Sequence, residues 1–454
     1  MFRLDPKVSP SDQYTKLNDY ELSSIYLEYD GGGRVDLKNV FQNFSFVEDI
    51  TTQAMMGTLF IKDNLDLLNT FPISGHETLH VKFRTPGINS DFIDVKFRII
   101  EVSDRVRSPN ERGEVYKIKF VSNTAIENQT KKISKSFKGK ISSIAKSIYR
   151  DYIGGSLNTQ ETQGETKCVI PMWQPFRALE WLASRAIPSG NDKETNYFFY
   201  ETVDGHQFVS LSKLCSQTPV MKYYQMPSGI RNANDNYALA SPKSLARDFS
   251  NVRDLEFLRV NQKLEEYMDA AFSSTLIIHD VTTKTWGRKI FNYNKDQPKI
   301  RTVANEKVTV NNSAYTDTPQ GNIMLVTRQS GLMGGDYPNT QNHDKWLQQS
   351  FSSRTLLNTI RTKIEVAGNS VLRVGDVVEL FIPKSAPLKT SDTEWYDERA
   401  SGKYLITTVR HTLTPDEYKT SLILSKNSYE VPLPDEAAFM GTDRESPTNF
   451  IERK

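Results

Sequence analysis

Cysteine is nearly absent from this chain, with only Cys168 and Cys215 in 454 residues. There is no CxxC pair and no Cys/His ligand spacing, so neither a disulfide scaffold nor a zinc ribbon is readable. Two reduced, buried thiols are expected, and one Cys168–Cys215 bridge is the alternative. Also lacking is any apolar run approaching the ~20 residues that cross a bilayer, so no membrane insertion is expected. Met1 to Asp19 is polar, broken by Pro6 and Pro10, and has no signal-peptide core. The expectation is a soluble protein made in a cytoplasm, whatever it later joins. An excess of one charge is missing too. Lys and Arg number 57 against 55 Asp and Glu, a net +2, without the basic surplus of a dedicated DNA binder.

Aromatic residues, by contrast, are plentiful: 20 Tyr and 23 Phe, which suit sheets and protein interfaces. The length exceeds one ordinary hydrophobic core and predicts several domains. After an N-terminal arm (1–19), residues 20–125 read as all-β. Val35 to Phe46 and Thr58 to Ile61 suggest strands, and Leu79 to Phe83, Val95 to Val102 and Tyr116 to Val121 alternate with period two. Ser108 to Gly113 is a hairpin loop. Residues 126–226 read as a small α/β domain. Ile141, Ile144, Ala145, Ile148 and Tyr152 follow helical spacing up to Gly154-Gly155. A second helix opens at Pro175, and a hairpin surrounds Asp204-Gly205. Residues 227–281 and 345–430 are assigned to a second β domain, opened by a helix over about Asp344 to Ile360. A polar insertion (282–344) interrupts it, and an extended tail (431–454) follows.

The two β regions match in order. Gly75-His76-Glu77 leads into Leu79, Val81 and Phe83, as Gly375-Asp376-Val377 leads into Val378, Leu380 and Ile382. Phe97 to Val102 parallels Tyr404 to Val409. Tyr116 to Ser122 parallels Tyr418 to Ser425, up to one residue. The fold class expected is mainly β with α+β modules: two duplicated small β-barrels, a small α/β domain and an insertion subdomain. Three copies of such a chain would present six similar units around an axis, joining threefold to sixfold symmetry.

The sharpest catalytic pattern is His76-Glu77-Thr78-Leu79-His80, a literal HExxH with Glu101 as a candidate downstream ligand. A zincin needs this motif on a helix, so that both histidines reach one zinc. Here β-type alternation follows it, and on a strand the two histidines sit about 13 Å apart. The strand reading is preferred and a zinc peptidase using His76, Glu77 and His80 is the alternative. Lys131, Lys132, Lys135, Lys138 and Lys140 could favour a phosphate backbone, but are read as a solvated linker and helix entry. Gly31-Gly32-Gly33 and Gly334-Gly335 lack a phosphate-loop pattern and are read as turns. Trp173 and Trp181 are assigned to packing. No Ser/His/Asp triad or carboxylate pair stands out, so no catalytic, cofactor or metal site is assigned.

Three stretches carry a family resemblance. They are Ile50-Thr51-Thr52 followed by Gly57 to Asp63; Ile170-Pro171-Met172-Trp173 with Pro175-Phe176, Leu179 and Leu182-Ala183; and Val371 to Ile382 with Gly402 to Ser425. Together they resemble, in order over about 40–430, the baseplate hub proteins of contractile-tailed phages. More distantly they resemble type VI secretion spike hubs and phage late-control proteins. The departures are 282–344 and the tail. The resemblance implies a structural homotrimer, not an enzyme, in the virion's tail baseplate. It implies tube-like barrels forming a ring, a tail tube or tube-initiator protein above, a central spike below and baseplate wedge proteins around. DNA would pass through the ring without specific binding, and any cell-wall hydrolase would belong to the spike. The hub of a contractile injection or type VI-like machine is the alternative within this resemblance.

Overall fold

A computed structural model describes residues 18–427, apart from 30, 65, 72, 87–90, 108–112, 191–195, 226–248, 261–265, 267, 269–270, 294–308, 311–312, 315–321, 330–342, 386–395 and 398. Most of the expected arm and 108–113 loop, Gly334-Gly335 and the 431–454 tail lie outside the described residues.

The chain opens with β1 (Glu21–Glu28), β2 (Arg34–Asp36), β3 (Phe41–Asp49) and β4 (Met56–Asp63). A short α1 (Leu67–Thr70) leads to β5 (Thr78–Arg84), β6 (Ile93–Arg107) and β7 (Glu114–Ser122). The strand expected over Val35 to Phe46 is two strands. The Val40 and Phe41 N–H groups both donate back to the Leu37 carbonyl, at 3.1 and 3.0 Å, and turn the chain between them. The Gly31-Gly32-Gly33 turn joins β1 to β2, with Gly32 at a φ of 79°.

Next come α2 (Asn123–Thr130), β8 (Ile133–Gly139), α3 (Ile141–Ile148) and a π-turn over Tyr149–Ile153. They are followed by β9 (Asn158–Thr159), β10 (Thr166–Trp173), α4 (Pro175–Ala183), β11 (Tyr197–Thr202), β12 (Gly205–Ser210) and α5 (Leu211–Cys215). The lysine run is only partly linker and helix entry: Lys131 and Lys132 join α2 to β8 and Lys140 opens α3, but Lys135 and Lys138 lie in β8, antiparallel to β10, exposed beside the buried Ile133 and Phe137.

The remaining elements are β13 (Met221–Tyr224), β14 (Asp254–Val260), β15 (Ser273–Asp280), β16 (Thr285–Asn292), β17 (Thr309–Val310), β18 (Ser313–Ala314), β19 (Ile323–Arg328), α6 (His343–Leu357), β20 (Ile360–Ala367), β21 (Val377–Phe381), β22 (Gly402–Leu413) and β23 (Tyr418–Lys426). Two differ from expectation. β15, assigned to the second β region, pairs instead with β16 and β19, since α6 covers its inner face and buries Leu276. β13, assigned to the α/β stretch, lies parallel to β21 in the second barrel. The helix stops at Leu357, so Ile360 opens a strand.

Thirteen strands form one sheet, ordered β14-β20-β23-β22-β3-β4-β7-β6-β5-β1-β2, with β21 and β13 branching from β22. It comprises two barrels fused where Thr408–Leu413 of β22 runs antiparallel to Phe44–Asp49 of β3. The Tyr418 N–H donates to the Asn18 carbonyl at 2.9 Å, tying the start of β1 to the β22–β23 hairpin across the first barrel. A parallel bridge between Tyr224 and Asn251 does the same for the second. The first core holds Phe44, Phe46, Phe83, Phe97 and Phe120, joined by Leu413 and Tyr418 from the second barrel's hairpin. The second gathers Tyr223, Leu380, Tyr404, Ile406 and Leu424. Separate clusters fill the α/β unit and the small β15–β16–β19 sheet.

The barrels repeat each other in register. Leu79 faces Phe97 as Val378 faces Tyr404, and Ile99 faces Phe120 as Ile406 faces Leu424. The strands β6 and β22 each carry a bulge just after these pairs, at Ile100 and at Thr407. Gly75 and Gly375 both adopt left-handed φ, 93° and 91°. One detail shifts: this register sets Tyr116 against Thr420 rather than Tyr418, because the last strands slide relative to the sequence match.

Gly57 and Gly368 admit no side chain. A Cβ on Gly57 would lie 2.2 Å from the Ser45 carbonyl oxygen and 2.6 Å from the Phe120 ring. One on Gly368 would lie 2.1 Å from the Tyr418 ring, at the seam between barrels. Gly57→Ala and Gly368→Ala should each cost about 2–3 kcal/mol in urea unfolding. Gly287→Ala, with open space at the same position, should stay within about 0.5 kcal/mol of the parent.

Candidate assembly surfaces

The HExxH segment is a turn and a strand. Glu77 accepts the Ser74 and Gly75 N–H groups, both at 2.8 Å, and the Ser74 hydroxyl at 2.9 Å. These bonds hold its carboxyl below the usual range against the opposing effect of burial. In the second barrel Asp376 likewise accepts the Arg373 N–H, at 2.9 Å. The motif's glutamate is therefore the capping acid of a repeated turn. His80, on β5, stacks on Tyr26 at 4.7 Å and meets Glu28 at 2.8 Å, and burial lowers its pKa. The His76 carbonyl accepts from Arg98. Glu101 pairs with Lys119 on the next strand. Among the described residues no three His, Cys, Asp or Glu side chains gather where a metal could sit. The zinc-peptidase alternative thus finds no support.

The side chains that the structure does bring together lie where three units meet. Glu48, fully buried on β3, accepts the Val203 N–H of the β11–β12 turn at 2.9 Å and the Val374 N–H of the second barrel at 3.1 Å. Arg373 stands nearby, 3.4 Å from Asp204. Burial pushes the Glu48 carboxyl up to about 7, opposed by Arg373 and the two N–H donors. Glu201 of β11 accepts the Met55 N–H at 2.8 Å and the Thr124 hydroxyl at 3.0 Å. His206 spans the same junction, at 2.8 Å from the Gln53 carbonyl and 3.0 Å from the Tyr149 hydroxyl. Thr85 completes the seam: its N–H meets Ser370 and its hydroxyl the Gly368 carbonyl.

Sequence reasoning missed these residues, although a signal was present. Glu48 lies in phase with Phe44 and Phe46, and His411 with Val409 and Leu413, so each occupies a buried position of an alternating strand. His411 bonds the Tyr418 hydroxyl at 2.6 Å and stacks on Phe46, and burial holds it neutral.

The outward face of the fused sheet is polar and largely self-paired. Lys82–Asp94, Arg84–Glu21, Lys119–Glu101, Lys363–Glu256 and Lys419–Glu365 are ion pairs between adjacent strands. Across the seam hydroxyls join the charges, with Ser45 against Thr58 at 3.1 Å, Thr408 on the Asp49 carboxylate and Arg410 exposed opposite Val47. Trp173 and Trp181 pack edge to face at 5.7 Å beneath Arg177 and Arg185. Cys168 is buried as expected, Cys215 is exposed against expectation, and no disulfide joins them. No helix among the described residues is long and apolar enough to cross a membrane.

Glu48 yields a signed pH dependence. A raised pKa means the folded chain holds the proton more tightly than the unfolded one. Its contribution to stability is therefore fullest below about pH 4.5 and declines as pH rises through 7. Glu48→Gln leaves one backbone N–H without its acceptor and should cost about 1–3 kcal/mol at pH 5. The gap to wild type should narrow by up to about 3 kcal/mol between pH 5 and 8 in denaturant unfolding, because only wild type ionises.

No family model matches this chain. Over 387 residues it is 22% identical to the probable baseplate hub protein gp334 of Vibrio phage KVP40, covering 82% of this chain and 86% of that protein. Its fold is similar to that of a tail protein from Neisseria meningitidis MC58, with a TM-score of 0.53, 11% identity, and 90% and 96% of the two chains covered. It is also similar to the 43 kDa tail protein of prophage MuSo2 from Shewanella oneidensis, with a TM-score of 0.52, 10% identity, and 89% and 98% covered. The resemblance drawn from the sequence is borne out: this chain is similar in sequence to a phage baseplate hub protein and in fold to phage tail proteins.

Proposed function

We propose that this chain is the structural central hub of a phage tail baseplate, a homotrimer that joins a sixfold tail tube to a threefold central spike. The observation that carries the reading is the repeated barrel. Two barrels agree in pairing, bulge and capped turn, so three chains would offer six closely similar units to a sixfold partner. Fusion of the barrels through β22 and β3 makes each chain a rigid two-unit segment of such a ring.

The proposed division of labour follows the cores: barrels at about 20–125 and in the β13–β14 and β20–β23 strands, with the α/β unit bracing them. The outward sheet face suits a channel wall. Its charges pair with one another, so DNA would find few unmatched cations and pass without specific binding. The role is structural, with Glu77 committed to a turn and any hydrolase left to the spike. The tail tube or its initiator, the spike and wedge proteins are the expected partners, and the virion baseplate the location. The phage source of the curated relative favours a virus over an injection machine.

Light scattering on the purified full chain should give about three times the 51.8 kDa chain mass, alone or with the spike protein. A species that stays monomeric at every concentration and with the spike present would count against the hub reading.

A further inference from the structure

Among the described residues, the sheet β16-β15-β19 has one covered and one bare face. On the covered side α6 lies across it: Gln348 donates to the Ser274 carbonyl at 3.1 Å, Ser352 to the Ala271 carbonyl at 2.6 Å, and Leu276 is fully buried. The opposite side chains are fixed by register. Ile290, Thr275 and Ile323 align across the three strands, then Arg288, Ile277 and Leu325, then Trp286, His279 and Thr327. Four large apolar residues on this face stay open: Trp286 is 73% exposed, Leu325 70%, Ile323 61% and Ile290 50%. A contiguous apolar face of this kind is uncommon on a finished protein surface. Its charged group is Arg288, and none of its nine aligned residues is a carboxylate.

A second strip on the same chain has the converse chemistry. β14 is the last strand of the thirteen-stranded sheet and has β20 as its ladder neighbour. It exposes Phe257, Leu258 and Val260 beside the carboxylates Asp254 and Glu256. The register irregularity between Phe257 and Arg259 pushes Leu258 out of the ladder. Among the described residues β14 has no second ladder neighbour, and an apolar edge strand invites unwanted pairing unless covered.

We propose that these two strips meet between copies of this chain: the bare β16-β15-β19 face of one copy docks on the β14 strip of the next. A threefold ring requires a head-to-tail contact between two different surfaces, and an apolar strip bearing Arg288 complements an apolar strip bearing two carboxylates, Asp254 and Glu256, with the cation Lys363 3.6 Å from Glu256. The face does not suit docking on itself, since a self-contact would oppose the Arg288 side chains without a carboxylate between them. This inference rests on the trimeric hub reading and names the surface that builds the trimer.

The test uses the full chain and follows mass against concentration by light scattering, with thermal unfolding as a check on folding. Leu325→Glu, at an open position, should shift the assembly midpoint to at least about tenfold higher concentration with unchanged thermal stability of the subunit. Arg288→Glu and Glu256→Arg should each weaken assembly, and the double variant should recover most of the loss. Trimers unaffected by all three single changes would overturn this interface while leaving the hub reading intact. Single losses without recovery in the double variant would overturn the pairing with β14. Intact trimers of Leu325→Glu that no longer join the tail would assign the face to another protein instead. A wild-type chain that never assembles would overturn the hub reading itself.

Discussion

The molecule turns on one buried carboxylate. Glu48 leaves water entirely, which carries a desolvation cost of several kcal/mol for an ion. What offsets it is position, since its two oxygens accept backbone N–H groups from two other units, Val203 and Val374, with Arg373 close by. A hydrophobic side chain there would pack but could not satisfy those donors. Both belong to turns, which have no ladder of their own to supply a partner. The relative placement of both barrels and the α/β unit is thus set at one point. Glu201, His206 and Thr85 then extend it along the seam.

The fused sheets are held by more than the seam ladder. Pairing between β22 and β3 alone would let the barrels hinge about a single ladder. Leu413 and Tyr418, which belong to second-barrel strands, reach into the first barrel's core, and Gly368 is kept bare so that the Tyr418 ring can lie against it. Backbone pairing, side-chain interlock and the buried carboxylate resist different motions.

The local parts were legible in the sequence and the long-range parts were not. Alternation located β5, β6, β7, β22 and β23, since a half-buried strand must alternate wherever it pairs. The sequence match set Gly75 and Gly375 at the same place before a strand, and both glycines adopt left-handed geometry there. Partner choice has no local signature. Nothing in the string of β15 says that it prefers β16 and β19 to the barrel, and nothing in β13 announces a parallel neighbour 157 residues on, Met221 against Val378. The lysines of β8 masked a strand because only Ile133 and Phe137 carry its buried face. Glu48 could have been found: a charge in phase with Phe44 and Phe46 either breaks a core or organises one. HExxH shows the opposite hazard, a matching string on the wrong backbone.

Where the barrels differ is as informative as where they agree. Turn cap, bulge and strand order are common to both, and these fix curvature and therefore the shape of a barrel. Divergence falls on the first strand and the edge. β1 runs antiparallel to β5, whereas β13 runs parallel to β21. Only the second barrel carries an inserted sheet between its edge strand β14 and β20. Six identical units would give a true sixfold ring, with no means of presenting a threefold surface. A chain that keeps its curvature-setting residues equal while making its edges unequal can present near-sixfold shape at one end and threefold features elsewhere. On the proposed hub reading, the difference between β1 and β13 would serve the joining of two symmetries.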